Sequence, residues 1–385
     1  MSIRPAPDRA RVAVVHDYLT QRGGAERVAL AAVRALPGTR VLTGCYEPGA
    51  TFPEFASVPI ETTWINRVQV LRRDPRRALP LLAMVFGRTH VDDVDVVVCS
   101  SSGWAHGIDT DAPKVVYCHN PARWLYQPQD YFRRLPRPLL TVVAFLLSGL
   151  RRWDKKRAAE ASAYLVNSTV VQARVREHYG ITATVLPPPA GVLPDGPHEP
   201  LPGVEPGFLL TIGRHRAYKN TAVVAEAVEH LRGERLVVVG ELPARPGGWS
   251  SRITCPSAVS DAQLRWLYAN AAAVVAVSHE DFGLTPVEAF GFGTPVLALR
   301  DGGYLDTCRS GLTGEWIDEP TPAAVAAAVR RFRKSRYDRA AIREHAQRWS
   351  PARFEADLRL VVRNVLAGQR TDLLDPHIID IRRAS

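Results

Sequence analysis

Short, continuously apolar runs alternate with segments of helical period along this chain, and the alternation halts once before it resumes. Residues 11–15, 40–43, 94–99, 114–118 and 163–167, with a further run near 184–186, have strand length and apolar interiors, which predicts buried parallel strands. After the first of them, Ala25, Val28, Ala29, Ala32, Val33 and Leu36 recur at i, i+3, i+4 and i+7, the stripe of a helix packed on a sheet. Strands alternating with helices predict a parallel sheet covered on both faces. Residues 187–207 then hold eight prolines and follow neither period, the mark of a stiff linker. Beyond it the pattern returns, with strands expected at 208–213, 236–240, 273–277 and 295–299 and a helix at 220–231. Ser260-Asp261-Ala262-Gln263 opens another helix with a capping box. From residue 322 the chain reads as helical, with a polar tail after Gly368.

The expected fold is therefore α/β, with two doubly wound Rossmann-like domains at 1–186 and 208–348, and a C-terminal helix and tail at 349–385 packing back on the first. At 385 residues the chain is too long for one core. Two such domains would form a cleft along their strand carboxyl ends, where ligands bind in doubly wound sheets.

Composition narrows the function. Hydrophobic residues at 46% and charged residues at 23% are globular proportions and exclude a disordered chain. A net charge of +10 favours anionic partners, whether polyanions, lipid surfaces or phosphorylated substrates. No apolar run reaches the roughly 18 residues of a membrane span, and Met1 to Arg11 is polar and proline-bearing, unlike a secretory leader. The expected location is cytoplasmic, with peripheral attachment at the inner face of a membrane open. Five cysteines lack CxxC or zinc spacing and most of them read as reduced core residues, and no aromatic-basic RNA module or helix-turn-helix appears, so nucleic acid is not an expected partner.

The stretch richest in chemistry is Glu280-Asp281-Phe282-Gly283-Leu284-Thr285-Pro286-Val287-Glu288, just after the strand at 273–277. A strand, a glycine-bearing loop and a helix start present backbone N–H groups at the positive end of a helix dipole, which suits an anion. Carboxylates flank that spot, as a molecule carrying diphosphate and sugar hydroxyls would require. The same residues also read as a helix start, with Thr285 at N-cap, Pro286 at N1 and Glu288 at N3 closing a capping box. Helix capping does not account for Glu280.

Arg214 and Lys219 follow the strand at 208–213, and two cations at a strand end can grip a diphosphate or simply line a solvated loop. Gly23-Gly24 opens the first helix, either to let an N–H approach a phosphate or to make the turn. His16 and Asp17 end the first strand and His119 ends the strand at 114–118, each placed for a ligand hydroxyl or for a backbone partner. Asp93-Val94-Asp95 and Asp109-Thr110-Asp111 could hold a divalent ion, but the first begins a strand and the second lies in a polar loop, so no metal site is expected. Basic residues from Arg133 to Arg157 bracket an apolar centre, which reads as an interfacial helix over anionic lipid or as an amphipathic helix with a core face. A second basic cluster comprises Arg67, Arg72, Arg73, Arg76 and Arg77.

On these residues the chain resembles the family-4 retaining glycosyltransferases of the GT-B fold, from about Val12 to Arg363. The most specific match runs from Glu280 to Glu288 and on through Ala289-Phe290-Gly291-Phe292-Gly293-Thr294-Pro295-Val296. Asp17-Tyr18-Leu19, Gly23-Gly24-Ala25-Glu26-Arg27 and Tyr117-Cys118-His119-Asn120-Pro121-Ala122-Arg123 look most like its mannosyltransferase-type members. The resemblance implies that Glu280 contacts the donor sugar, that Glu288 binds ribose hydroxyls, that Arg214 and Lys219 hold the leaving diphosphate, and that His119 lies near the sugar. Gly23, Gly24, Asp281, Phe282, Gly283, Leu284 and Thr285 complete the implied donor site, and His16, Asp17 and Arg123 the acceptor side. Where the family usually carries a Gly-x-Gly-Pro-like turn this chain reads Gly240-Glu241-Leu242-Pro243, so base contacts near Thr254 to Ser257 are not carried over.

The implied activity is metal- and cofactor-independent transfer of a hexose, mannose from GDP-mannose the expected pairing, to a hydroxyl of a glycan or polyprenyl-type lipid-linked acceptor, with anomeric configuration retained. A non-catalytic nucleotide-sugar or polyanion-binding protein of the same fold is the alternative. A glycan phosphorylase would need a pyridoxal-phosphate lysine, which is not evident.

Overall fold

Burial on both faces makes the strands of a parallel sheet legible, and the computed structural model, which describes residues 10–127, 137–213, 219–332 and 336–369, contains two such sheets. The chain divides into one unit of Met1–Pro189 with Pro351–Ser385, and a second of Ala190–Ser350.

In the first unit β1 (Val12–His16), β2 (Arg40–Thr43), β3 (Ile60–Thr62), β4 (Val96–Ser101), β5 (Lys114–Cys118), β6 (Ala163–Val166) and β7 (Thr184–Val185) form a seven-stranded parallel sheet in the order β3-β2-β1-β4-β5-β6-β7. Valines fill its centre, with Val14 in register with Val41 on one side and Val98 on the other. Because side chains alternate between faces, Val15, Cys99 and Val116 enter one core while Val14, Val98 and Val115 enter another. The first core lies under α2 (Gln69–Arg73), α3 (Leu79–Arg88), α4 (Arg123–Tyr126), α5 (Arg137–Ala159) and α6 (Thr169–Tyr179). The second is covered by α1 (Gly24–Ala35) and by the C-terminal helix Pro351–Leu366, whose Phe354, Leu358, Val361, Val362 and Val365 are buried there.

The second unit holds β8 (Leu209–Gly213), β9 (Leu236–Gly240), β10 (Ile253–Thr254), β11 (Ala273–Ala276), β12 (Val296–Leu299) and β13 (Gly314–Ile317), parallel in the order β10-β9-β8-β11-β12-β13. Its helices are α7 (Thr221–Glu229), α8 (Asp261–Asn270), α9 (Leu284–Gly291), α10 (Tyr304–Thr307), α11 (Pro322–Arg331) and α12 (Arg339–Ala346), so the C-terminal helix is α13. Both halves of the capping box at Ser260 and Gln263 are formed. Residues 190–207 belong to this unit: Leu201 is buried in its core, and Ala190 N–H donates to Trp349 O at 2.9 Å.

Three strands lacked a signal. β3, β10 and β13 are edge strands of two to four residues, with polar Glu61, Thr254 and Glu315 where an apolar run would be. The tail from residue 370 onward lies outside the described residues.

Candidate active site

At the carboxyl end of β11 the chain leaves the sheet through Val277 and Ser278, passes Glu280, and enters α9 at Leu284. Gly283 turns the corner with φ 86°, a left-handed conformation that other residues rarely adopt. A side chain there would also collide with the buried ring of Tyr304, whose Cε1 lies 2.2 Å from where its Cβ would be.

Glu280 is mostly shielded from solvent and heavily engaged. Its Oε1 forms an ion pair with Lys219 Nζ and accepts from Ser278 Oγ at 2.9 Å. Ser278 Oγ is in turn 2.9 Å from the Tyr304 hydroxyl. Lys219 lies just before α7, next to its left-handed N-cap Asn220, whose Nδ2 donates to Val277 O at 2.8 Å and ties the start of α7 to the end of the β11 run. The expected cation and carboxylate are therefore in contact, with the amino end of α9 beside them. Arg214 lies outside the described residues.

Glu288 corrects the helix-start reading. The helix begins at Leu284 with Gly283 at its N-cap, which leaves Thr285 and Glu288 inside the helix, out of capping-box positions. Glu288 Oε2 instead accepts from the hydroxyl of Tyr268, a fully buried residue of α8, at 2.7 Å. Asp281, Leu284 and Thr285 are partly buried, whereas the Phe282 side chain is packed in the core.

In the first unit, β1, β4 and β5 bring His16, Ser100 and His119 together. His16 Nδ1 lies 3.0 Å from Ser100 O and 3.1 Å from Ser100 Oγ, and His119 Nε2 lies 2.8 Å from the same Oγ. A carbonyl oxygen only accepts, so His16 Nδ1 carries a proton and donates it there. The Ser100 hydroxyl can then donate to His119. Burial, with His16 alongside, pushes the His119 pKa down to about 3, so its imidazole is a neutral hydrogen-bonding group at physiological pH.

Asp17 has the backbone partners that were one of its two expected readings. It is buried, and its oxygens accept from the backbone N–H groups of Ser102, Trp104 and Ala105, so the carboxylate braces the loop after β4. Arg123 is exposed at the start of α4. Gly23 is the N-cap of α1 and Gly24 its first residue. The Glu26 carboxylate, three residues past the N-cap, approaches so closely that a Cβ on Gly23 would lie 2.3 Å from Oε2. Burial raises the Glu26 pKa, and Oε1 accepts from Gln21 Nε2 at 2.9 Å.

Both Asp-x-Asp triplets are engaged elsewhere. Asp93 and Asp95 pair with Arg11, and Asp109 with His90 and Arg157. Among the described residues no group of three or more His, Cys, Asp or Glu is arranged to hold a metal ion.

Ser100, Ser278, Tyr268 and Glu26 were not singled out from sequence. Only Glu26 had a local signal, three residues after a glycine N-cap, the position from which a glutamate reaches back to its helix start.

The family model described as Glycosyltransferase Family 4 matches residues 22–190, and that described as Glycosyl transferases group 1 matches residues 198–349. Human (Homo sapiens) alpha-1,3/1,6-mannosyltransferase ALG2 is 25% identical over 361 residues, covering 80% of this chain and 84% of that protein. Sucrose-phosphate synthase from Thermosynechococcus elongatus superposes with a TM-score of 0.69 at 16% identity, covering 94% of this chain and 100% of that one. Anabaena HepE in complex with UDP superposes with a TM-score of 0.66 at 16% identity, covering 91% and 99%. The two structures share the fold.

Proposed function

We propose, for a chain that belongs to the family-4 glycosyltransferases of GT-B fold and is mannosyltransferase-like, that it moves a hexose from a nucleoside-diphosphate sugar to a hydroxyl with retention of configuration. Mannose from GDP-mannose is the proposed pairing, because relatives matched along most of their length are mannosyltransferases. The observation that carries the reading is the Lys219–Glu280 pair beside left-handed Gly283 and the amino end of α9. A cation for the departing diphosphate and a carboxylate for the sugar would stand at one strand edge, where dipoles preset for developing charge can supply the largest catalytic contribution.

In this reading Lys219, Arg214 and the free N–H groups of Gly283, Leu284 and Thr285 at the start of α9 take up the diphosphate charge. Glu280 orients the sugar, and Glu288 accepts from the ribose hydroxyls. The departing phosphate oxygen receives the acceptor proton, so no side-chain base is required. His119 donates or accepts as a neutral group toward the sugar, and His16 and Arg123 face the acceptor. Because side-chain cations carry the diphosphate, release of GDP from GDP-mannose should persist in excess EDTA. Activity restored only by Mg²⁺ or Mn²⁺ would contradict this.

The acceptor is proposed to be lipid-linked and met at an anionic membrane. Trp64, Val70, Phe145 and Leu146 are each more than half exposed, and all lie on elements that cover the same core of the first unit or on the turns leading into them. Residues 64–88 carry six arginines against one aspartate, and residues 137–159 six basic residues against one aspartate. Those two stretches hold as much net positive charge as the whole chain. Arg133 and Arg134 lie outside the described residues, and no described helix is long and apolar enough to cross a membrane.

Each basic residue near an anionic surface contributes about 1 kcal/mol, so Arg152→Glu, Lys155→Glu and Lys156→Glu together should weaken vesicle binding on the order of a hundredfold or more. All three are exposed, whereas Arg151 is spared because its Nε donates to Leu125 O. Co-sedimentation with phosphatidylserine-containing and neutral vesicles across a salt series reads the effect. A wild type that ignores anionic vesicles at low salt would remove the membrane from the account.

A further inference from the structure

We propose that Tyr268 is a positioning residue for nucleotide recognition: it aims the Glu288 carboxylate at the ribose diol and so makes the site selective for ribonucleotides. The inference rests on the reading of Glu288 as the ribose-binding residue. Tyr268 lies on α8 and has no solvent exposure, while Glu288 is only partly buried on the neighbouring α9. The tyrosine is held from two sides: its ring stacks on Phe292 with centroids 5.3 Å apart at 14°, and its carbonyl accepts from Thr294 Oγ1 at 2.6 Å. From this fixed base its hydroxyl donates to Glu288 Oε2 at 2.7 Å.

A glutamate on a helix surface otherwise samples several rotamers, and ordering it on binding costs affinity. A donor locked in the core removes most of that cost by setting the carboxylate plane in advance. The ionised carboxylate only accepts hydrogen bonds, so a ligand that satisfies it must bring donors. A vicinal diol brings two. A site built to bond hydroxyls discriminates sharply against a ligand lacking them, because its own polar groups are then left unpaired. The aim of Glu288 therefore determines how strongly the protein prefers ribose to a deoxygenated sugar.

Isothermal titration with GDP and UDP and with their 2′,3′-dideoxy counterparts tests this on the wild type, Tyr268→Phe and Glu288→Gln. Wild type should bind the cognate ribonucleotide about ten- to a hundredfold more tightly than its dideoxy form, the range for hydrogen bonds to a charged group. Tyr268→Phe keeps the stack on Phe292. It should weaken the ribonucleotide about fivefold or more while leaving the dideoxy form within about twofold, so the selectivity ratio shrinks. Equal weakening of both ligands, or of neither, would overturn the inference. The underlying reading fails separately: if Glu288→Gln keeps the wild-type ratio, or wild type binds neither ribonucleotide, Glu288 does not read ribose. If Glu288→Gln abolishes selectivity and Tyr268→Phe does not, Tyr268 alone is excluded.

Discussion

Replacing Glu280 with glutamine should lower kcat about a hundredfold or more while changing donor affinity by no more than about threefold, the pattern of an interaction made mainly in the transition state. The carboxylate is held from one side by Ser278 Oγ and Lys219 Nζ, with the Ser278 hydroxyl beside buried Tyr304. Glutamine keeps the size and can still accept from Ser278, so the fold should survive. What disappears is the negative charge proposed to face a sugar that becomes positively charged as its bond to phosphate breaks. Single-turnover rates alongside donor titration separate the two effects. A loss confined to affinity would make Glu280 a ground-state contact.

Lys219→Ala should be comparably severe, lowering kcat/KM by about 10²–10³, because it removes a cation proposed to stabilise the leaving diphosphate. It also leaves Glu280 without its ion-pair partner in a mostly shielded position, where an unpaired charge is costly. The two residues act through one contact, so the double variant should lose much less than the product of the single losses. Strict multiplication in a double-mutant cycle would mean that the pair is coupled only in the ligand-free protein.

Much of this was legible because parallel strands buried on both faces announce themselves. β1, β5, β9 and β12 were expected within a residue or two of their observed ends, and the apolar stripe of α1 is the face that packs. Edge strands such as β3 and β13 escaped, since they exchange apolar residues for glutamate and threonine. The start of α9 was misread for an instructive reason. Thr285-Pro286-Val287-Glu288 satisfies a local capping rule, but the turn at Gly283 starts the helix earlier and sends Glu288 to Tyr268.

Charged residues at strand ends were visible; the hydroxyls that hold them were not. Tyr268 meets Glu288 across 20 positions, and Ser100 meets His16 across 84, separations over which no periodicity carries information. Asp17 shows the same limit. At a strand end it could meet a ligand hydroxyl or a backbone partner, and three backbone donors, none adjacent to it in sequence, supply the second.

The central claim, retaining transfer from a nucleoside-diphosphate hexose, is tested most directly by the first product formed. Purified protein at high concentration with GDP-mannose, in EDTA and with water as the default acceptor, can be followed by proton NMR before mutarotation scrambles the signal. The account predicts GDP released in step with α-mannose, the configuration of the donor. β-Mannose as the first product would contradict retention. A donor left intact, in a panel that also includes the guanosine, uridine and adenosine diphosphate glucoses, would contradict the assignment of the Lys219–Glu280 edge as a site of glycosyl transfer.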